Sequence, residues 1–369
     1  CKEDRMKKQL KYFPVLIGLL VLASGRIQAA EITVDAGGGC TLAEAIDSAN
    51  NDDADGNGCV DGSGDDTIIL DTDVELAFGP TARPPITSPV TIKGQGHTID
   101  GKGADAYVLK VNNKGVGGDG DLILNNATIT GGNHVHENGG GPGNGGGLCI
   151  AYDGIAELNN VTISGNTAAN YGGGIFSCLN CKLTLNNCTI SDNTADYGGG
   201  IHMTLNPPSL ENILRSSIIS GNTASVVGNE IYADILMGSV ASEFNVFGHS
   251  GETDAQAFSG FTPGGSDLTT TSDGTDPTAL ADIIDPLADI GCALTHALPE
   301  GSPAIDLDEV CSTGLTEDQC GESRPVGDYC DRSAIGQCNN YRYRPCCDAG
   351  AIEFSNGCTS NIIVDAGGV

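Results

Sequence analysis

The chain has no tryptophan, and Phe, Trp and Tyr together make up only 5% of its 369 residues. A thick core built on large rings is excluded by that shortage; small and branched residues must fill a thin one. The missing indoles also remove the side chain best suited to stacking on a sugar in a cleavage site. Positive charge is scarce too, with 17 Lys and Arg against 48 Asp and Glu and a formal net charge of −31. Nucleic acid and anionic membrane surfaces are repelled by such a chain, and cations are its natural partners. High solubility in a salty medium explains the same balance. Long apolar runs are absent after the N-terminus, where Phe13–Ala23 is too short to span a bilayer.

Glycine is plentiful, at 54 residues, and much of it is periodic. From Thr128 to Tyr232 one phrase is written four times: TIT-GGN ending in GGGLCI, TISGNTAANYGGGIF, TISDNTADYGGGIH and SIISGNTASVVGNEIY. The apolar residues closing these blocks are Leu148, Ile175, Ile201 and Ile231, giving steps of 27, 26 and 30 residues. A period in that range marks a solenoid or array. Each unit also holds a strand phrase: LILNNATIT (122–130), AELNNVTIS (156–164) or LTLNNCTIS (183–191). Apolar and polar residues alternate in it, and nothing in the units has helical spacing.

One repeat therefore makes one turn of short strands joined by Gly and Asn corners, which tolerate positive φ. Turns stack about 4.8 Å apart with like strands paired. The predicted fold is all-β, a parallel β-helix of roughly eight or nine turns. Asn125/Asn126, Asn159/Asn160 and Asn186/Asn187 recur without slippage, and Asn166, Asn193 and Asn222 recur likewise. In-register asparagines form side-chain amide ladders. Cys188 takes the slot of Ala127 and Val161 in the LNNxTI phrase and is expected to point inward.

Residues 1–30 read as an address. Met6 is the natural start, preceded by upstream residues and followed by Lys7, Lys8, Lys11, the apolar run and Ala29-Ala30, the pattern of a cleaved secretory signal peptide. Removing 1–30 takes away six basic and two acidic residues, moving the formal net charge from −31 to −35. Cys1 lies ahead of the start; the other fourteen cysteines split into six at 40–188 and eight at 292–358. Even clusters in a secreted chain imply disulfides, with most of the connectivity open. Cys40 and Cys59 bracket an acidic segment, and Cys178-x-x-Cys181 reads as a structural disulfide in preference to a redox or zinc pair.

After the strand-like start at Glu31, residues 31–66 make an N-terminal cap. Thr41 and Glu44 form a capping box, and Leu42, Ala45, Ile46 and Ala49 share one helical face, so a short helix is expected to cover the first turn. The loop that follows, NDDADGNGCVDGSGDDT (51–67), offers Asp53, Asp55, Asn57, Asp61, Asp65 and Asp66 as oxygen donors. Its D-x-D-x-N-G half matches the first part of a calcium loop, but Gly64 stands where the closing Glu belongs. A looser Ca²⁺ loop and a metal-free acidic loop both fit these residues. His134, His136 and His202 with Glu137 raise a second metal possibility; for the His134-x-His136 pair, in a Gly- and Asn-rich stretch, an ordinary surface reading is preferred.

The strands of 67–248 complete the solenoid, 249–284 is rich in turn formers and reads as a loop or linker, and 285–358 holds the last cysteine cluster. The closing NIIVDAGGV echoes EITVDAGGG, which marks 359–369 as a possible start of a further module.

Three resemblances attach to these segments. VDAGGGCTLAEAIDSAN resembles the N-terminal segment named for its CSLREAI motif on secreted bacterial β-helix proteins, with Ala43 where that family has a basic residue. The repeats over about 128–232 resemble those of polymorphic outer-membrane proteins, which act in adhesion. DPLADIGCALTHALPEGSPAIDLDEVC, DQCGESRP and CDAGAIEF are similar to the choice-of-anchor Q domain, with Cys320 where an Arg is usual. Right-handedness, a disulfide-rich C-terminal cap and a secreted, cell-surface or outer-membrane-associated location follow from these likenesses. So does a structural or adhesive role, with an extracellular glycan or protein on the host or on a surface as ligand. The chain is expected to be monomeric, with no transmembrane span once mature and no nucleic-acid partner.

The competing class is an extracellular polysaccharide lyase or glycoside hydrolase on a β-helix. Such enzymes use a basic residue beside Ca²⁺-binding carboxylates or a close set of acids. Between 120 and 250 the only Lys and Arg are Lys182 and Arg215, more than a repeat apart, and Asp192 and Asp196 sit on a turn. No catalytic residue is assigned, and the balance leans away from an enzyme.

Overall fold

A computed structural model describes residues 29–53, 58–76, 83–112, 120–136, 142–204, 210–234, 240–308, 311–324 and 348–353. Among them the chain is predominantly β, with long parallel sheets and few helices, an arrangement compatible with a parallel β-helix. The backbone of a 14-stranded sheet runs through Glu31–Val34, Asp66–Leu70, Val90–Lys93, Asp121–Thr130, Ile155–Ser164, Thr189–Ser191, Ile218–Ile219, Val246–Phe247 and Leu268–Thr269. A six-stranded sheet contains Leu109–Asn112, Leu148–Ala151, Ile175–Ser177, Ile201–Thr204, Ile231–Asp234 and Phe258–Ser259. A four-stranded sheet joins Asn133–His134, Thr167–Ala168, Thr194–Tyr197 and Thr223–Val227.

The registers explain the core. Ile32, Ile68, Ile92, Leu124, Leu158, Leu185 and Leu214 stand one above another in parallel pairs, all inaccessible to solvent. A second column holds Ile99, Ile129, Ile163, Ile190, Ile219 and Phe247. Leu148, Ile175, Ile201 and Ile231 make a third, on the six-stranded sheet. Each column repeats one inward position of the sequence phrase, so the core is narrow and its residues are nearly interchangeable. Shifting one strand by a residue would turn a column outward, which holds the register.

Corners obey the same periodicity. Asn126, Asn160 and Asn187 all have positive φ, at 53°, 54° and 51°. Gly173 is needed for close approach: a Cβ there would lie 2.4 Å from the carbonyl oxygens of both Gly199 and Thr194. The asparagine ladders are present. Asn186 Nδ2 donates to Asn159 Oδ1 at 2.8 Å, and Asn159 Nδ2 donates to Asn125 Oδ1 at 2.9 Å. In the second ladder Asn166 donates to Asn193 at 3.0 Å and Asn193 to Asn222 at 2.9 Å. Asn160 and Asn187 are buried at these corners.

The helix Leu42–Asn51 starts on the capping box of Thr41 and Glu44 and lays Leu42, Ala45, Ile46 and Ala49 against the first strands. Asn50 then ties its end to the next turn, donating to Pro85 O and accepting from Thr87 N, both at 2.8 Å.

Two regions differ from expectation. Residues 249–284, expected as a loop or linker, are docked: Phe258 pairs with Ile231 and Leu268 with Val246, extending both sheets. The cause is a spaced set of apolar residues without any repeat phrase: Phe258 and Phe261 pack edge-on to Phe247, and Leu268 packs against the neighbouring cluster of Ile218 and Val246. Residues 285–358 are expected to close the C-terminal end, but their described part lies along the flank of the long sheet. Thr295 meets Thr162 at 2.7 Å, His296 Nε2 meets Ser164 Oγ at 3.0 Å, Ser216 donates to Asp308 at 2.7 Å and Ala351 N donates to Thr189 Oγ1 at 3.1 Å. Thr162, Ser164 and Thr189, flanking inward isoleucines, and Ser216 at a corner provide the contacts that hold this strap across several turns.

Candidate functional site

The outward face of the six-stranded sheet carries the least ordinary chemistry of the described surface. A residue following an inward isoleucine must point out. Here those residues are Phe176, His202 and Tyr232, paired in register on consecutive turns. Tyr171 and Tyr197 stand just before the glycine corners and bridge to one another. The repeat thus gathers five rings from three turns.

Ring centroids lie 5.1 Å apart for Tyr171 and Tyr197, 4.6 Å for Tyr171 and His202, 5.1 Å for Phe176 and His202, and 5.6 Å for Tyr197 and Tyr232. The rings of Tyr171 and Tyr232 are nearly parallel, with centroids 6.2 Å apart. Tyr171, Phe176, Tyr197 and Tyr232 are all partly exposed, whereas His202 is buried between them. The patch ends on a carboxylate. Tyr232 OH donates to Asp234 Oδ1 at 2.9 Å, and His202 Nε2 lies 3.4 Å from Asp234 Oδ2.

Burial pushes the His202 imidazole down to about 4, against the pull of Asp234. The ring is therefore neutral near pH 7. The hydrogen bond to Asp234, with burial, pushes the Tyr232 phenol up to about 12, so it remains a donor. Chemically the patch offers flat apolar faces bordered by hydrogen-bond acceptors, an arrangement that accepts a ring with C–H faces and hydroxyl edges.

The residues singled out in the sequence are spread elsewhere. Asp53, Asp61 and Asp65 are exposed on the acidic loop, while Asp55 and Asn57 lie outside the described residues. Asp66 is buried, and its carboxylate accepts from Ala30 N at 2.9 Å and from Ser63 N at 2.9 and 3.1 Å. That places Asp66 as an anchor for the loop base. Cys40 is joined to Cys59 and Cys178 to Cys181. A third pair, Cys292–Cys320, had no spacing signal because 28 residues separate its members. Cys188 is a buried thiol beneath Leu158 O, pushed up to about 12 by burial. His134 is buried, edge-on to Tyr107, and shares a 2.8 Å hydrogen bond with Asn144 O; His136 pairs with Asp105 on the surface, also at 2.8 Å. They do not converge on one ion, and Glu137 lies outside the described residues.

The ring cluster was missed from sequence, although its signal was present: YGGGIF, YGGGIH and VGNEIY place rings at matching positions. Counting aromatics by total, where they are few, hides their concentration on one face.

No family model, no curated protein and no solved structure matches this chain. Among the described residues no helix is long and apolar enough to cross a membrane.

Proposed function

We propose that the chain is a secreted or cell-surface right-handed parallel β-helix whose role is structural and adhesive, and that it holds a glycan on the face of Tyr171, Phe176, Tyr197 and Tyr232. The handedness and the surface location rest on the resemblances of the N-terminal segment, the repeats and the C-terminal region. The choice of glycan rests on one observation: five rings assembled by the repeat and bordered by the Asp234 carboxylate. Stacking supplies affinity, and carboxylates accept from sugar hydroxyls. With 48 acidic residues on the chain, a neutral or amino-bearing glycan suits this face better than a uronate polymer.

Calcium is proposed as a stabiliser of the acidic loop, held by Asp53, Asp61 and Asp65 with Asp55 and Asn57. Oxygen donors in that number on a short closed loop suit a hard cation.

Electrophoresis through gels cast with defined neutral, amino-bearing and uronate polysaccharides tests the reading. Retardation in a neutral or amino-bearing gel, without shortening of the polymer, supports it. Retardation only in a uronate gel, or scission of any polymer, supports the lyase or hydrolase instead. Unretarded migration in all gels rejects the glycan.

A further inference from the structure

Glu230 and Glu252 are buried acids, 0% and 4% exposed, brought together with the partly exposed His249. One ligand atom from each of the three lies within 4.8 Å of the other two. They come from two consecutive stretches of the stack: Glu230 precedes the strand Ile231–Asp234, and His249 and Glu252 follow Val246–Phe247.

The oxygens of Glu230 are well supplied with donors. Gly221 N donates to Oε1 at 2.8 Å and Asn222 Nδ2 donates to Oε2 at 2.6 Å. Glu252 Oε2 accepts from Asn229 Nδ2 at 2.7 Å, but its Oε1 is buried without an N–H or hydroxyl donor, and the two carboxyls lie within hydrogen-bonding reach of one another. Among the described residues neither carboxylate forms an ion pair with Lys or Arg. Two buried acids and an orphaned oxygen are costly unless a cation or a shared proton stands between them.

We infer that Glu230, Glu252 and His249 form a binding site for a divalent transition-metal ion, with Zn²⁺ as the ion best matched to two carboxylates and an imidazole. Mixed oxygen and nitrogen donors suit zinc, whereas Ca²⁺ takes oxygen donors almost exclusively. The free Oε1 of Glu252 becomes a ligand, and the ion clamps the last regular turn to the segment behind it. His249 Nδ1 now accepts from Gly251 N at 3.0 Å. Binding through Nδ1 displaces that bond, and binding through Nε2 requires the other tautomer, so the ring adjusts on loading.

Calorimetric titration of ZnCl₂ into the mature, untagged, chelator-treated protein tests the site, alongside His249→Ala, Glu252→Gln and the loop variant Asp53→Ala/Asp61→Ala. The expected result is one saturable Zn²⁺ per chain, at least tenfold weaker in both His249→Ala and Glu252→Gln and unchanged in the loop variant. Zinc should also raise the melting temperature of the parent but not of His249→Ala, a surface-accessible change whose folding is checked by circular dichroism. Three outcomes overturn the site: no saturable binding, equal binding by His249→Ala and the parent, or binding lost only in the loop variant. A Glu252→Gln variant that is more stable than a zinc-indifferent parent identifies a proton-sharing acid pair and overturns it too.

Discussion

Asn222 donates from Nδ2 to Glu230 Oε2 at 2.6 Å, so an amide ladder rising through Asn166 and Asn193 ends on a buried acid. Each asparagine below bonds both to the next side chain and to backbone carbonyls. Asn193 shows the full pattern, donating to Ile163 O and Ser191 O at 2.9 Å while its Oδ1 accepts from Asn166 N at 3.0 Å. The ladder satisfies backbone groups that a corner without strand pairing would leave bare.

Asn193→Ala removes that satisfaction at the middle of the ladder. Buried polar groups left without partners cost about 1–3 kcal/mol each, so a loss of about 3 kcal/mol is expected after partial relaxation. Urea unfolding should show a lower midpoint with little change in slope.

The columns make core truncations additive only at a distance. Ile163 is inaccessible and stacked between Ile129 and Ile190. Ile163→Ala should cost about 2–5 kcal/mol, and Ile163→Val about 0.5–1.5 kcal/mol. Combining Ile163→Ala with Ile190→Ala should deviate from the sum, whereas Ile163→Ala with Ile32→Ala should not; denaturant midpoints of the three single and two double variants decide this.

His202 gives a dependence on pH. Its folded value of about 4 lies below the ordinary 6.5, so the unfolded chain binds the proton more readily between those values. Stability from the neutral ring is complete above about pH 6.5 and is lost as pH falls toward 4, by up to about 3 kcal/mol. Glu230 acts in the opposite sense, since a raised carboxyl favours the fold at low pH. Comparing the parent with His202→Gln isolates the histidine: the gap in unfolding free energy should shift in favour of the variant as pH drops from 7 to 4.

Cys40–Cys59 closes a loop with a sequence separation of 19 beside the N-terminal helix. Replacing both by serine should lower stability by about 3 kcal/mol. Hydrogen exchange should quicken first in Leu42–Asn51, whose apolar face rests on the strands that the loop connects.

How far the sequence foretold the molecule depends on whether a residue's partner sits one repeat away. Leu158, Ile163 and Asn159 each meet their counterparts 27 or 34 residues off, and the phrase alone located those contacts. Thr41 and Glu44 were legible because a capping box is local. Thr162 against Thr295, or Ser216 against Asp308, joins segments with no shared pattern, and no spacing rule points to such pairs. Glu230 was hidden for the same reason: its companions Glu252 and His249 lie beyond the last repeat, in a stretch whose composition resembles a linker. The rings escaped notice although periodic, because glycine and asparagine dominate the same phrases.

The account stands or falls on the aromatic face. Array binding of the parent and of Tyr171→Ala/Tyr197→Ala, with melting temperatures matched beforehand, measures it most directly. The account predicts retention of the parent on neutral or amino-bearing glycans and at least a tenfold loss in the double variant, since each stacked ring contributes about 0.5–1.5 kcal/mol or more. Equal retention of both proteins, or retention of neither on any glycan, would contradict it.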